Sequence, residues 1–326
     1  MSAQQNKDFL EMVEAATKAP SGHNTQPWLF RLNDSSIDVI PNMECRLPVV
    51  DSSNRELYIS IGAAIENLCL KATSLGYETN VELNDVTKSI TIYLDKTEHE
   101  ENVPLVFEID KRQTNRKMYT SKKISADTLQ ILERVMLNCN INKYIISHED
   151  SLFEIMKRYI ALGNDLQLND DDFKEELLKH IRFNQKEINK ESTGLTYKVM
   201  GAPSLPAFIS KPIVKSFLKA DKQNKGDMKK VDSSSHLVLF TTKHNTWQEW
   251  IDLGRSFERF MLTTTSLGIA TAFMNQPCEE EELAKQIQQK YPEFKGEYPT
   301  LLLRIGYTEM AAYSPRKKIN EVVLID

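Results

Sequence analysis

Several familiar signatures are missing from this chain of 326 residues. Its four cysteines, Cys45, Cys69, Cys139 and Cys278, lie far apart and form no CxxC pair. Its six histidines give neither an HExxH run nor a Cys/His cluster. No metal site is expected, and buried free thiols are expected rather than disulfides, with Cys69 inside an apolar helix-like run. No GxGxxG fingerprint is present, so the chain carries no recognisable Rossmann dinucleotide domain. No apolar run approaches bilayer-spanning length. The opening MSAQQNKDFLEMVEAATKAP is polar and then helical, without the apolar core of a signal peptide. A reduced, cytoplasmic, metal-free protein is the expectation. The net charge of −5 argues against a general nucleic-acid or membrane-surface binder. It leaves room for a local basic pocket that takes an anionic cofactor.

What is present is a repeat. Residues 59–79 (ISIGAAIENLCLKATSLGYET) and 251–271 (IDLGRSFERFMLTTTSLGIAT) align without gaps, with nine of 21 positions identical. The shared residues include Gly62/Gly254, Glu66/Glu258 and Gly76/Gly268. Copies this far apart suggest two related halves packed on each other rather than a solenoid. A two-fold relation places a site between the halves.

The first half is assigned to residues 1–110 and the second to 111–326. Apolar residues at helical spacing predict a first helix ending near Pro20, and repeat helices over 55–76 and 248–268. Strand patterns occur at WLFRL, IDVIP, NVEL, SITIYL, PLVFEI, YIIS, HLVLFTT and TLLLRIGY. Residues 185–235 have three prolines, a cationic stretch and no clean period, which reads as a lid-like insertion able to cover a site. Tyr197, Met200, Leu205 and Phe208 would be its apolar face, or would merely anchor it. Helices and short strands around two long apolar helices make the fold class α+β, with two related halves intertwined as an intramolecular pseudo-dimer.

Three segments carry candidate chemistry. The loop over 19–28, APSGHNTQPW, has side-chain hydrogen bonders (Ser21, Asn24, Gln26) and backbone amides around Gly22 that suit the polar edge of a flat heterocycle. Pro and Gly alone would equally make it a helix stop and turn. Residues 112–119, RQTNRKMY, set Arg112 and Arg116 around the Thr114 hydroxyl, a compact phosphate clamp or a solvated basic turn. The tail over 315–318, PRKK, brings Arg316 and Lys317. His23 is read as a turn residue, with a proton-donor role open.

These segments, with the helix exit SLGIATAFMNQP and the strand-tail LLLRIGY…SPRKK, resemble the signature segments of the FMN-dependent nitroreductase family. The resemblance spans nearly the whole chain, is weakest over 150–235, and is close to the double-length, Acg-like branch. It implies a nitroreductase-like fold in which an arginine clamp and basic tail hold the FMN phosphate while a loop of the opposite half meets the ring. Arg112, Thr114, Arg116, Arg316 and Lys317 would then lie on the phosphate side. Pro20, Ser21, Gly22 and Asn24 would lie on the ring side, with Asn275 and Gln276 near flavin N5.

The departures from the family pattern refine the expectation. The first half has the ring loop without a clamp; the second has the clamp, but reads NCNINKY at 138–144 where the loop would recur. One complete site and one degenerate site follow, hence one FMN per chain in a monomer that is itself the pseudo-dimer, with further dimerisation open. The implied function is an oxidoreductase that passes reducing equivalents from NAD(P)H, a transient co-substrate, to a small-molecule electron acceptor such as a nitroaromatic or quinone. Ping-pong hydride chemistry at flavin N5 is expected, with no catalytic side chain required, since the cofactor carries the redox step. The alternative is a non-turnover protein that stores or sequesters flavin under its lid.

Overall fold

The computed structural model describes residues 2–98 and 101–324. Helix α1 (Ala3–Thr17) opens on a capping box between Ser2 and Gln5 and buries Phe9, Met12, Val13 and Ala16, so two of its orphan donors are satisfied reciprocally. Strands β1 (Trp28–Leu32) and β2 (Ser36–Pro41) form a hairpin, followed by α2 (Arg55–Ser74), β3 (Tyr77–Leu83) and β4 (Ile90–Lys96). At the start of α2 the Asp51 carboxylate accepts the backbone N–H groups of Glu56 and Leu57 at 3.0 and 2.9 Å. Gly76, at φ 74°, takes the left-handed stop that a side chain would resist. PLVFEI is not a strand: Pro104–Glu108 is a short 3-10 helix, led by a proline that has no N–H to give a ladder.

The second half begins with α3 (Ala126–Glu133) and β5 (Ile141–Ser147). It continues through α4 (Ser151–Asn169), α5 (Asp171–Lys179), the short β6 (Ile181–Arg182), α6 (Gln185–Lys190), β7 (Leu195–Thr196), α7 (Ala207–Phe217) and α8 (Ala220–Asp232). Then come β8 (His236–Thr242), α9 (Trp247–Ser266), β9 (Ala270–Phe273), α10 (Gln276–Glu279), α11 (Glu281–Lys290), β10 (Tyr298–Gly306) and α12 (Ile319–Val322).

Two antiparallel four-stranded sheets result, in the spatial orders β1-β2-β4-β3 and β5-β8-β10-β9. Matching α2 to α9 in chain order carries the first arrangement onto the second, so the duplication extends from one helix to a whole sheet. The segment 148–235, from α4 to α8, occupies the place that a tight turn at Asn33–Ser36 fills between β1 and β2. It therefore starts earlier than the loss of periodicity at 185 suggests. Its helices α4 and α8, with α11, cover the face of the second sheet that carries Leu237, Leu239 and Leu302. The other face, with Val238, Phe240 and Leu303, joins α1, α2, α9 and the first sheet in the main core. This is why β8 and β10 are buried at every position while β3 alternates.

The end of the second half crosses onto the first: Val323 forms a parallel bridge to Phe30 on β1, where the Leu324 N–H donates to the Phe30 carbonyl at 2.8 Å. Thr114 forms a parallel bridge to Thr271 on β9 within the second half. Helices α2 and α9 cross at their shared glycines. A Cβ on Gly62 would lie 2.2 Å from the Ile251 carbonyl oxygen, and one on Gly254 would lie 2.1 Å from that of Ile59. Each contact is the image of the other under the repeat. The cysteines are all free, but only Cys69 and Cys278 are buried; Cys139 is exposed.

Gly62→Ala or Gly254→Ala should cost more than about 3 kcal/mol, because a methyl pressed into backbone has no rotamer to escape into. Gly226→Ala in α8 meets nothing within 4 Å and should be neutral or stabilising by up to about 1 kcal/mol. Urea denaturation of the three variants checks this; equal stabilities would remove the crossing as a constraint.

Candidate functional site

The loop after α1 is held in a costly shape. His23, Asn24 and Gln26 all have positive φ (47°, 57° and 53°), a conformation that non-glycine residues hold only when their surroundings over-determine it. The Ser21 hydroxyl accepts the Gln26 N–H at 3.0 Å. Gln26 is fully buried; its side chain accepts the Lys317 N–H at 2.7 Å and donates to the Ser192 carbonyl at 2.7 Å. The Asn24 amide donates to the carbonyls of Pro315 and Gly194 at 3.2 and 3.4 Å and accepts from Arg316. The loop thus ties the tail and the segment 192–195 to the end of α1.

The clamp runs beside β9 and is fixed from below by Arg304, which is fully buried, lies 3.9 Å over the Tyr119 ring and donates to the Lys117 carbonyl at 2.8 Å. Arg112 is buried; its Nε is 3.2 Å from the Glu258 carboxylate and its Nη2 donates to the Lys18 carbonyl at 2.7 Å. Arg316 donates to that same carbonyl at 2.9 Å, so two guanidinium groups converge on one oxygen. Burial, followed by the Arg112 charge, pushes Arg316 down to about 9. A guanidinium keeps its proton under such pressure, and a bound anion relieves it. Burial, opposed chiefly by Arg112, raises Glu258 to about 7. Arg116 has neither a hydrogen-bond nor an ion-pair partner among the described residues.

Two adjoining cavities receive these groups. The first, about 270 Å³, is walled by Lys18, Pro20, Ser21, Asn24, Arg112, Thr114, Arg116 and Arg316, with Ile109, Asp110, Gln113, Leu195 and 312–314. The second, about 240 Å³, is lined by Pro20, Ser21, Gly22, His23, Glu56, Ile59, Ser60, Thr114, Arg116, Phe257, Phe273, Asn275 and Gln276, with Gln167, Leu195, Glu279 and Leu301. They share Pro20, Ser21, Thr114, Arg116 and Leu195. One end is cationic; the other is a slot with apolar walls from Ile59, Leu195, Phe257, Phe273 and Leu301 and polar groups converging between them, the kind of lining a small-molecule or cofactor site has.

Ten of the eleven candidate residues therefore border these two adjoining cavities. Lys317 does not: its ammonium donates to the Gln26 carbonyl at 3.0 Å and sits 3.3 Å from Cys45 Sγ. Asn24 borders the cationic end rather than the slot. Asn275 and Gln276 border the slot, but their amides are already engaged, Asn275 with Glu56, Glu279 and the Leu302 N–H, and Gln276 with Asn164 and Asp227. Where the repeat would build a second site, Asn138 donates to Asp252, the counterpart of Ser60, at 2.6 Å. Its N–H also donates to the Ser256 hydroxyl at 2.8 Å.

Sequence reasoning missed Glu258, the Lys18 carbonyl and the carboxyl pair Glu56 and Glu279. Glu258 was visible only as an identity in the repeat; nothing in the local sequence of the others signals a site. Of the insertion, Gln167 and Leu195 line the cavities, and Phe208 is 78% exposed, so the anticipated face of 197–208 does not cover them.

No protein-family model matches the chain. Its similarity to proteins bearing the nitroreductase name nevertheless extends over almost its whole length. It is 23% identical over 325 residues, 96% of this chain and 90% of the relative, to the Mycobacterium tuberculosis H37Rv protein named "Putative NAD(P)H nitroreductase Rv3131". Over a shorter stretch of 70 residues it is 31% identical to the protein named "Putative NAD(P)H nitroreductase acg" of the same organism, covering 22% of this chain and 21% of that one. Among solved structures, the FMN-dependent nitroreductase NfnB from Mycobacterium smegmatis, in complex with NADPH, aligns with 67% of this chain and 96% of its own, at 11% identity and a TM-score of 0.43.

His23 gives a pH signature. Burial, then the charges of His180 and Arg116, lower it from 6.5 to about 3. The folded state therefore binds fewer protons than the unfolded state between those values, and stability is lost as pH falls from 6.5 towards 3. Compared with wild type, His23→Asn should show a shallower loss of unfolding free energy on acidification. Parallel urea midpoints across pH 4–7 would contradict this.

Proposed function

We propose that this chain is an FMN-dependent oxidoreductase that passes reducing equivalents from NAD(P)H to an electron-poor small molecule, a nitroaromatic or a quinone. The observation that carries the reading is Arg116, a guanidinium without a partner among the described residues, at the junction of a three-arginine pocket and an apolar slot. FMN has this same division, an anionic phosphate at one end and a flat heterocycle at the other. Arg112, Arg316, Arg116 and the Thr114 hydroxyl would hold the phosphate end through charge-assisted hydrogen bonds. Pro20, Ser21 and Gly22 from the first half, with Phe257 and Phe273 from the second, would flank the ring and exclude water. FMN supplies the two-electron chemistry when bound.

One slot beside the ring would serve NAD(P)H first and the acceptor second, which gives ping-pong kinetics. One FMN per chain would follow, because Asn138 hydrogen-bonds Asp252, the repeat's counterpart of Ser60 in the slot, and the Ser256 hydroxyl. The fused halves would act as a monomer, and the unpaired cysteines suit a reducing cytoplasm. Among the described residues no helix is long and apolar enough to cross a membrane. The sealed, flavin-storing alternative needs an insertion closed over the slot. Only Gln167 and Leu195 of the described insertion residues line the slot, and its apolar Phe208 is exposed instead of closing over it, which favours turnover.

Arg116→Gln should weaken FMN binding about 10- to 100-fold, as expected for about 1.5–3 kcal/mol from one lost bond to a charged group. Unchanged affinity in a fluorescence titration would remove the clamp. Arg112→Ala is a poorer probe, because it strands Glu258 and should cost stability of about 3–5 kcal/mol. Asn24→Ala should weaken binding less than Arg116→Gln, by freeing Arg316. Anaerobic titration of the FMN-loaded chain with NADPH and NADH tests turnover: bleaching of flavin absorbance is expected, and flavin that stays oxidised would shift the reading to storage.

A further inference from the structure

The slot has an acidic wall. Glu56, in the first turn of α2, and Glu279, at the end of α10, both border it. The Asn275 Nδ2 lies between them, 2.6 Å from Glu56 Oε1 and 3.3 Å from Glu279 Oε1. Gln167 donates to the other Glu279 oxygen at 2.6 Å. Asn275 is itself held by the Leu302 N–H at 3.0 Å, so the two carboxyl groups are fixed by the second sheet. The remaining Glu56 oxygen lies under Gly22, 3.4 Å from where a Cβ would stand. The same cavity holds the buried His23 Nε2, which has no hydrogen-bond partner among the described residues.

The charges around Glu56 favour its neutral form. Burial comes first, then the carboxylates of Glu279 and Asp51; together they push it well above the usual carboxylate range. Arg55 opposes them, but its guanidinium is engaged with the Cys278 carbonyl and lies 5.8 Å over the Tyr298 ring. Asp51 is also raised, to about 6, with burial the largest cause. Arg116 borders the slot from the clamp, and His23 faces it as a neutral ring. Two buried carboxyl groups this close hold one proton more readily than two charges, and the Asn275 amide, although its donation favours the ionised form, fixes their positions.

We propose that Glu56, held against Glu279 by the Asn275 amide, is the proton donor to the acceptor in this slot, and that the slot takes uncharged acceptors whose oxygen must gain a proton with its electrons. The proposal rests on the oxidoreductase reading above and names the acceptor chemistry of that site. A quinone becoming a hydroquinone takes up two electrons and two protons. A hydride donor of the reduced flavin or nicotinamide class brings both electrons and one proton. The second proton leaves Glu56 as its O–H bond breaks and the hydroquinone O–H forms; solvent then restores it to the carboxylate. A nitro group reduced to nitroso has the same demand, with water as the leaving product.

Two measurements test this. The infrared difference spectrum at pH 7.5, wild type minus Glu56→Gln, should show a protonated-carboxyl C=O band, to which Glu258 contributes nothing because it is present in both proteins. The same band should persist in the difference spectrum taken in an Asp51→Asn background. A difference spectrum without that band overturns the proposal. In the FMN-loaded protein, the ratio of the benzoquinone rate to the ferricyanide rate should fall about 100-fold in Glu56→Gln, the lower end of general-acid effects, because ferricyanide takes electrons without a proton. An unchanged ratio overturns the donor role. The infrared band needs no flavin, so its loss counts against the donor even where flavin turnover stands. Failure to bind FMN counts against the oxidoreductase reading even where the band is present.

Discussion

The contact between α2 and α9 at Gly62 and Gly254 sets the distance between the two halves, and everything at the site is measured from it. With backbone meeting backbone there, the residues one turn on, Glu66 and Glu258, are driven into the centre of the molecule at 1% and 0% exposure. A buried carboxylate demands a counter-charge. The two halves answer differently. Glu66 is met by Arg255, 3.2 Å away, and by Arg259, both from α9. The repeat puts Asn67 where Arg259 stands on the other helix, so Glu258 must find its cation elsewhere. It finds Arg112, and with it the clamp.

The broken symmetry has a chemical result. On one side the carboxylate is met twice within the helix pair itself, by Arg255 and Arg259, and needs no cation from the clamp. On the other, a single carboxylate of the interior faces Arg112, while Arg316 and Arg116 crowd the same cavity without one. The excess positive charge is stored in a chain of net charge −5, which overall would repel the anion that this corner attracts. Local arrangement, rather than composition, decides the electrostatics here.

The insertion shows how the same sheet can be used twice. Half one closes the hairpin β1–β2 with a tight turn and leaves its outer face partly to solvent. Half two opens the corresponding hairpin and spends 148–235 on covering that face, so β8 and β10 become buried on both sides. From the excursion, Gln167 reaches the slot through Glu279, and the strap 192–195 crosses to the site, anchored by the Gln26 amide and the Asn24 carbonyl. The segment that looks like a lid by composition is mainly a second core layer.

The sequence alone determined the duplication, the two long helices and their glycine stops, the α+β class and the segments that border the site. These are local or periodic properties: a repeat register, a 3.6-residue stripe, a left-handed glycine, a loop of hydrogen bonders between helix and strand. It also made a strand of PLVFEI, began the insertion too late and counted Lys317 among the clamp, because alternation, period and charge do not say where a side chain turns. Tertiary structure alone decided that Gln26 holds Lys317 away, that Asn24 spends its amide on the tail, that Glu258 neutralises Arg112, and that Glu56 meets Glu279. Each depends on groups more than a hundred residues apart being brought within hydrogen-bond distance. No window of sequence contains both members of such a pair.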